Sequence, residues 1–139
     1  HVFEFLSFLL IKGVRLAGWT AATKDYAHAL LQGVFAALFD DADYNRHFEM
    51  VLTRSDTLRL PCGSYVKNLG TVYRRLGTED VILIDDDPVH TQFSKNNVAL
   101  IPAFYATDPV ALRDRALLNI TEFLVERCRL GEEATANVA

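Results

Sequence analysis

Cysteine is scarce in this chain of 139 residues, and its scarcity excludes two classes of small protein. Cys62 and Cys128 are the only two, and they lie far apart without the short spacing of metal-ligating cysteines. Small disulfide-dependent proteins carry several cysteine pairs, and zinc sites need clustered Cys and His ligands. We therefore expect neither a disulfide framework nor a zinc site, and a reducing compartment fits this composition best.

Basic patches and long apolar runs are missing as well. The chain has 14 Lys and Arg against 18 Asp and Glu, a net charge of −4, and no basic stripe with interleaved aromatic residues. Such a stripe marks binding to the nucleic-acid backbone, so we expect no direct nucleic-acid partner. The most apolar stretch, residues 2–11, is interrupted by Glu4 and Ser7. It is shorter than the roughly 20 residues that span a bilayer, so we expect no membrane span.

The apolar residues that are present follow helical and strand patterns in alternation. Helical spacing predicts a helix over residues 2–11 and a second one after Thr23, the expected N-cap. Two further helices are predicted, one over residues 66–75 and one from Asp108-Pro109 onward, because Asp and Pro suit the N-cap and first helical positions. Apolar runs predict strands at residues 14–19, 48–53, 81–85 and 98–104.

This order of elements predicts an α/β fold. Apolar strands that alternate with helices are typical of a parallel sheet with helices on both faces. We expect one domain over residues 1–130, with a disordered tail at residues 131–139. Ligands bind beyond the carboxyl ends of the strands in such folds, and Thr20, Arg54 and the run Asp85–Asp87 lie at the ends of predicted strands.

The run Asp85–Asp87 in "VILIDDDPVH" is the most unusual feature of the sequence. One interpretation is a polar strand end in which an aspartate caps the next helix, a common role for a single aspartate. Three adjacent carboxylates repel one another unless a cation compensates, and oxygen ligands of this kind suit a hard divalent ion such as Mg²⁺. A metal site or a lysine-paired acidic site is therefore the favoured interpretation.

Other polar residues carry weak signals when each is considered alone. Thr20 fits either a turn or a hydroxyl donor to an anion at a strand-to-helix crossing. Lys67, on a predicted helix, is by default a solvated lysine, and Arg54 and His90 are by default surface or loop-anchoring groups. Together, a Thr after one strand, a Lys at the start of a later helix and paired Asp after the next strand form a recognisable order.

That order resembles motifs two to four of the haloacid dehalogenase superfamily. The chain is most similar to the carboxy-terminal-domain phosphatases, small Ser/Thr phosphatases also called NLI-interacting-factor-like. The resemblance extends to about Cys128 and is carried by "GWTAATKDYAHALL", "GSYVKNLG" and "VILIDDDP", which are similar to the family's "FTAS…YA", "NYVKDL" and "VDNSP" or "IDDR" segments.

The resemblance implies phosphoryl transfer from a phosphoserine or phosphothreonine peptide to an aspartate and then to water, with Mg²⁺ as cofactor. Thr20 is then expected to donate to a phosphoryl oxygen. Lys67 is expected to stabilise the charge shared by nucleophile and phosphate, and Asp85 to hold its ammonium group.

The same resemblance assigns expected roles to three further residues. Asp86 is the expected Mg²⁺ ligand, at a position where the family often has Asn. Arg54 and Tyr26 are expected to contact the substrate. Asp87 replaces a Ser or Arg of the family and has no expected role.

The family's nucleophile motif, DxDxT or DxDxV at the end of the first strand, does not occur in this sequence. The nearest candidate, "DDADYN" at residues 40–45, follows a predicted helix and comes after Thr20. We therefore expect a Rossmann-type, haloacid-dehalogenase-like sheet whose first catalytic strand lies upstream of this chain. The alternative is a non-catalytic peptide-binding module of the same fold, like the mitochondrial translocase subunit that recognises presequences. The expected location is intracellular, nuclear or cytoplasmic, with a mitochondrial location as the alternative.

Overall fold

The computed structural model describes residues 1–128, so the tail predicted at residues 131–139 lies outside the described residues. The chain divides into two compact units, one of His1–Val14 with the residues from Phe104 onward, the other of Arg15–Ala103. The helices and strands, in chain order, are α1 (Val2–Ile11), β1 (Leu16–Trp19), α2 (Lys24–Phe39), β2 (Phe48–Leu52), β3 (Leu58–Arg59), β4 (Tyr65–Val66), α3 (Gly70–Leu76), β5 (Leu83–Asp85), β6 (Val98–Leu100) and α4 (Ala116–Cys128).

The first unit is built on two helices. α1 packs against α4, and each helix buries two apolar residues one turn apart: Phe5 and Leu9 in α1, Ile120 and Leu124 in α4. This spacing puts each pair on one face of its helix. α1 ends before Gly13, whose φ of +68° is a conformation that glycine adopts without strain, as its position in the sequence predicts.

Parallel strand pairs are the main sheet structure of the second unit. β1 pairs with β2, Trp19 opposite Leu52, and β5 pairs with β6, Asp85 opposite Leu100. The short strands β3 and β4 form an antiparallel pair. The α/β class and the parallel pairing are therefore confirmed. The described residues form three separate two-stranded sheets rather than one continuous sheet.

The core of the second unit lies around α3. Its buried residues are Leu52 of β2, Val72 of α3, Leu83 of β5 and Leu69, which directly precedes α3. Partly buried side chains from α3 and from the parallel strands or the residues beside them pack against this cluster: Trp19, Met50, Tyr73, Leu76, Val81 and Val98. Both parallel pairs thus share one apolar core, and the carboxyl end of each pair carries polar residues.

Two helices begin later in the chain than the sequence predicts. The helix predicted over residues 66–75 begins only at Gly70, because Tyr65 and Val66 pair with β3 instead. Lys67 therefore follows a strand and does not lie on a helix. The final helix begins at Ala116 rather than after Asp108-Pro109, and the Asp114 carboxylate accepts a hydrogen bond from the Ala116 N–H. Asp108 and Asp114 both offer a side chain suited to the start of a helix, and the helix begins after the later of the two.

The last predicted strand is shorter than expected. It was predicted over residues 98–104, and β6 ends at Leu100. Pro102, which has no N–H to donate, follows two residues later. Among the helices of residues 1–128, none combines the length and apolar character that a membrane crossing requires.

Candidate active site

A buried ion pair joins the loop after β4 to the end of β5. Lys67 directly follows β4, Asp85 is the last residue of β5, and the Lys67 Nζ donates to Asp85 Oδ2. Only 7% of Lys67 and 6% of Asp85 is exposed. A buried charge is costly unless an opposite charge and hydrogen bonds compensate it, so each of these residues depends on the other.

The second carboxylate oxygen of Asp85 faces the turn that follows β5. Asp85 Oδ1 accepts a hydrogen bond from the Asp87 N–H at 2.9 Å and lies 3.6 Å from His90 Nδ1. The other ring nitrogen, His90 Nε2, lies 3.6 Å from Asp87 Oδ2. The Lys67 N–H donates to the His90 carbonyl oxygen at 2.8 Å. Lys67, Asp85 and His90 therefore form a closed set of contacts.

Asp86 differs from both of its neighbours. It is exposed, and among residues 1–128 its carboxylate has no hydrogen-bond or ion-pair partner. Within the same residues, no three His, Cys, Asp or Glu side chains are grouped so as to hold a metal ion by themselves. Mg²⁺ needs only one or two protein carboxylates when water and phosphate oxygens complete its shell. A free carboxylate beside a buried charge pair fits that requirement, and Asp86 is the residue that would bind the ion.

Thr20 and Arg54 are tied to each other at the ends of β1 and β2. The Thr20 N–H donates to the Leu52 carbonyl at 3.0 Å, and its side-chain oxygen accepts from the Ala22 N–H at 3.1 Å. Arg54 donates its backbone N–H to the Ala22 carbonyl at 2.9 Å and its Nε to the Ala21 carbonyl at 2.7 Å. In this arrangement Arg54 holds the Thr20–Ala22 turn against the end of β2.

Arg54 also connects this turn to the strand that precedes Lys67. Its guanidinium carbon lies 5.2 Å from the centre of the Tyr65 ring in β4, within the range of a cation–π contact. Within the described chain, Thr20 makes no hydrogen bond to Lys67 or Asp85. The predicted residues therefore form two contact groups, Thr20 with Arg54 and Lys67 with Asp85, and among the described residues no hydrogen bond or ion pair joins a member of one group to a member of the other. Tyr26 lies in the first turn of α2, is 62% exposed and takes no part in these contacts.

Two residues of this site, His90 and Ser94, were missed by sequence analysis. His90 was expected to be a surface or loop-anchoring group, yet it lies against two carboxylates of the aspartate run. Ser94 is buried, accepts a hydrogen bond from the Leu69 N–H at 3.3 Å and lies 3.5 Å from the Lys67 carbonyl. For His90 a signal existed, because a side chain three residues after an aspartate in a turn can reach back to it.

A cavity of about 380 Å³ lies beside Ser94. It is lined by Tyr73, Gln92, Phe93, Ser94, Asn96 and Asn97. Burial, and then the nearby Glu79 carboxylate, raises the pKa of the Tyr73 phenol above its usual range. At neutral pH the phenol is protonated, as an ordinary tyrosine is.

The segment "DDADYN", the nearest match to the nucleophile motif, has different surroundings. It follows α2 and leads into a 3₁₀ turn at Tyr44–Arg46 rather than ending a strand. Asp41 and Asp43 lie 3.6 Å and 3.3 Å from the guanidinium nitrogens of Arg46, and Asp41 also accepts a hydrogen bond from the Asp43 N–H. These carboxylates have local partners, as expected for a solvated loop.

Comparison with known families adds one finding to this geometry. A family model described as NLI interacting factor-like phosphatase matches residues 1–135. A comparison with curated protein sequences finds no match. The matched range includes every residue of the site described above.

Proposed function

This chain belongs to the NLI interacting factor-like phosphatase family, and on that premise we propose that it is part of a Mg²⁺-dependent phosphatase acting on phosphoserine and phosphothreonine in proteins. The proposal rests on one observation above all, the buried Lys67–Asp85 pair beside the free carboxylate of Asp86. Phosphoryl transfer depends mainly on positioning and charge neutralisation, and this arrangement offers a fixed ammonium group next to an oxygen ligand.

Lys67, Asp85 and Asp86 each have a distinct proposed task. The Lys67 ammonium neutralises the negative charge that the transferring phosphoryl group shares with its nucleophile. Asp85 holds that ammonium in position. Asp86 is the ligand for Mg²⁺, which when bound would withdraw charge from the phosphate oxygens.

The remaining predicted residues have supporting roles in the proposal. Thr20 donates its hydroxyl proton to a phosphoryl oxygen, while its oxygen already accepts from the Ala22 N–H. Arg54 anchors the Thr20 turn and contacts the substrate. Tyr26, exposed on α2, contacts residues of the substrate peptide.

The arrangement of the whole sheet is also part of the proposal. We propose a haloacid-dehalogenase-like parallel sheet, with residues 1–130 as part of one phosphatase domain and the nucleophile on a strand supplied from outside these 139 residues. Two observations support it. The sequence lacks a DxDxT or DxDxV motif, and two parallel strand pairs with no hydrogen bonds between them share one core around α3.

The test begins with the coding sequence that precedes His1. We expect an apolar strand ending in DxDxT or DxDxV, and Mg²⁺-dependent release of phosphate from a phosphoserine peptide by a protein that includes it. In that protein, Lys67→Ala should lower kcat by about 10²- to 10³-fold with little change in KM, because the ammonium meets charge that develops in the transition state.

Two controls accompany the assay. The 139-residue chain alone should not hydrolyse p-nitrophenyl phosphate, because its sequence lacks the DxDxT or DxDxV motif that supplies the aspartate nucleophile. A Lys24→Ala variant, which removes an exposed lysine at the start of α2, should retain the parent rate. Peptide binding without turnover by the longer protein would replace this proposal with the non-catalytic binding module.

A further inference from the structure

The side chain of Arg54 is held at two points, although the residue is exposed. Its Nε donates to the Ala21 carbonyl at 2.7 Å. Its guanidinium carbon lies 5.2 Å from the centre of the Tyr65 ring, so one face of the group lies against that ring. An arginine side chain without such contacts has many rotamers available to it. Contacts at one edge and at one face together fix the plane of this guanidinium group.

The backbone of Arg54 is fixed as well. Its N–H donates to the Ala22 carbonyl at 2.9 Å, and its own carbonyl accepts from the Thr57 hydroxyl at 2.6 Å. The preceding residue, Thr53, donates its N–H to the Asp56 carboxylate at 2.9 Å. The side chain therefore extends from a fixed backbone, and its orientation depends on the contacts with Ala21 and with the Tyr65 ring.

The outer edge of the guanidinium group carries its remaining donors. Among residues 1–128, Nη1 and Nη2 of Arg54 have no hydrogen-bond or ion-pair partner. These two nitrogens form the planar fork with which arginine binds two oxygens of a phosphate or carboxylate at once. A fork that is already oriented loses less conformational freedom when it binds than a mobile one does. The contacts of Arg54 thus leave open the edge that recognises an oxyanion.

Tyr65 contributes its ring to this arrangement. Its backbone is fixed in β4 by pairing with Arg59 of β3. Among residues 1–128 its phenol oxygen makes no hydrogen bond, so the ring face is the part of the side chain in use. Tyr65 also lies two residues before Lys67. The ring contact therefore joins Arg54 to the segment that carries the proposed catalytic ammonium group.

We propose that Tyr65 is a positioning residue that orients the Arg54 guanidinium group, so that Nη1 and Nη2 bind two oxygens of the substrate's phosphoryl group. This inference rests on the proposed function only in naming the phosphoryl group as the oxyanion. The substrate contact of Arg54 is thereby assigned to two atoms. Tyr65 itself contacts no substrate and acts through Arg54.

Loss of the Tyr65 ring has two expected consequences. The guanidinium group of Arg54 stays charged at every working pH, so the effect does not depend on a protonation state. Without the ring the group can rotate, its Nε–H leaves the Ala21 carbonyl more often, and that hydrogen exchanges with water faster. The mobile fork also binds an oxyanion more weakly. A merely structural role of Tyr65 in β4 predicts lower stability with neither of these changes.

The experiment measures both quantities by NMR on the 139-residue chain, at fixed pH and ionic strength. The Arg54 Nε–H signal is the reporter, identified by its absence in Arg54→Lys, and inorganic phosphate is the probe. In Tyr65→Leu the exchange rate and the Kd for phosphate should each rise about two- to fivefold, the factor to which a cation–π contact at an exposed site corresponds. Tyr65→Phe keeps the ring and should match the parent in both.

A second replacement of Tyr65 separates the ring's charge distribution from its packing. Pentafluorophenylalanine at position 65 keeps an aromatic ring of similar shape, but fluorination reverses the negative charge of its face, which is what attracts a cation. It should therefore raise the exchange rate and the Kd as Tyr65→Leu does, without the loss of packing. This replacement decides the question even if Tyr65→Leu does not fold.

Matched controls address the loss of a tyrosine, the loss of a charge and the nature of the anion. Tyr105→Leu removes a tyrosine that is 67% exposed and belongs to the first unit, and it should change neither quantity. Arg74→Ala removes an exposed arginine of α3 and should leave the phosphate Kd unchanged. Acetate should bind more weakly than phosphate. Equal or tighter binding of acetate would assign the fork to a substrate carboxylate and overturn the phosphoryl assignment.

The outcomes separate this inference from the proposed function. If Tyr65→Leu and the fluorinated ring both leave the exchange rate and the Kd at the parent values, the role of Tyr65 is wrong, whatever activity the longer protein has. If Tyr65→Phe behaves like Tyr65→Leu, the ring is not the cause and the inference also fails. If these variants behave as expected but the longer protein releases no phosphate from a phosphoserine peptide, the role of Tyr65 stands and the proposed function fails.

Discussion

The chain contains two segments with three aspartates each, Asp40–Asp43 and Asp85–Asp87, and their surroundings differ at every level. The first follows a helix, and two of its carboxylates, those of Asp41 and Asp43, pair with Arg46, whose side chain is 71% exposed. The second ends a parallel strand, and its first carboxylate pairs with Lys67, whose side chain is 9% exposed. The number of acidic residues is the same, so composition cannot distinguish the two segments.

What distinguishes them is the position of the opposite charge. Arg46 is three to five residues from its aspartates and pairs with them in water, where an ion pair contributes little. Lys67 is 18 residues from Asp85 in sequence and pairs with it in the interior, where a charge that loses its partner is costly. Burial of the first charge beside exposure of the next makes Asp85–Asp87 the candidate site, whereas Asp40–Asp43 is an acidic loop with local partners.

The two segments should differ most in how much their ion pairs contribute to the free energy of unfolding. Lys67→Ala leaves the Asp85 carboxylate buried without its partner and should lower the free energy of unfolding by about 3–5 kcal/mol. Arg46→Ala removes an exposed partner and should lower it by less than about 1 kcal/mol. Urea denaturation of both variants measures these values.

A double variant sharpens this comparison. In Lys67→Met with Asp85→Asn no charge remains, and the asparagine oxygen can still accept the Asp87 N–H, so most of the lost stability should return. Equal losses of unfolding free energy in Lys67→Ala and Arg46→Ala would show that burial of the Lys67–Asp85 pair does not increase its contribution to stability.

A smaller effect is expected in the chemical reactivity of the lysines. Acetylation requires an accessible amine, and burial against Asp85 restricts access to the Lys67 amine. Lys67 should react about tenfold or more slowly than the exposed Lys24, a factor that corresponds to about 1.4 kcal/mol. Peptide mass spectrometry after a timed pulse of acetic anhydride gives both rates. Asp85→Asn should bring the rate of Lys67 towards that of Lys24, and similar rates in the parent would contradict a buried pair.

The smallest expected effect is the response to salt. At 1 M NaCl the Debye length falls to about 3 Å, so ion pairs of exposed groups are largely screened. The small loss of stability in Arg46→Ala should therefore disappear, while the loss in Lys67→Ala should persist. Denaturation curves at low and high salt compare the two variants, with each referred to the parent at the same salt. If the loss of stability in Lys67→Ala also disappeared at high salt, the Lys67–Asp85 pair would have to be exposed to solvent.

The parts of the fold that depend on local patterns could be predicted from the sequence. α1, α2 and the parallel strands lie near their predicted positions, because helical spacing and apolar runs reflect which face of each element is buried. The helix predicted from Val66 failed because Tyr65 and Val66 pair with Leu58–Arg59, and no local pattern reveals that partner. The helix predicted from Pro109 begins instead at Ala116, where the Asp114 carboxylate accepts the N–H of the first helical residue.

The candidate site was predictable in its residues and only partly in its contacts. Strand ends drew attention to Thr20, Arg54 and Asp85, and resemblance to a family added Lys67. Composition alone treats Lys67 as a solvated lysine, since burial of a lysine depends on a partner distant in sequence. The contacts of His90 with Asp85 and Asp87 depend on the conformation of the turn after β5, and no local sequence pattern predicts that conformation.

The separation of Lys67 and Asp85 along the chain also bears on how the site assembles during folding. Their contact closes a loop of 18 residues that contains the whole of α3, and loops of this length carry a modest closure entropy. The Lys67–His90 backbone hydrogen bond closes a loop only slightly longer. Local contacts of this kind carry a smaller entropy cost than pairings of high contact order. Residues 65–101 contain the charge pair, α3 and both strands β5 and β6 in one continuous stretch of sequence, and we expect these contacts to form early in folding.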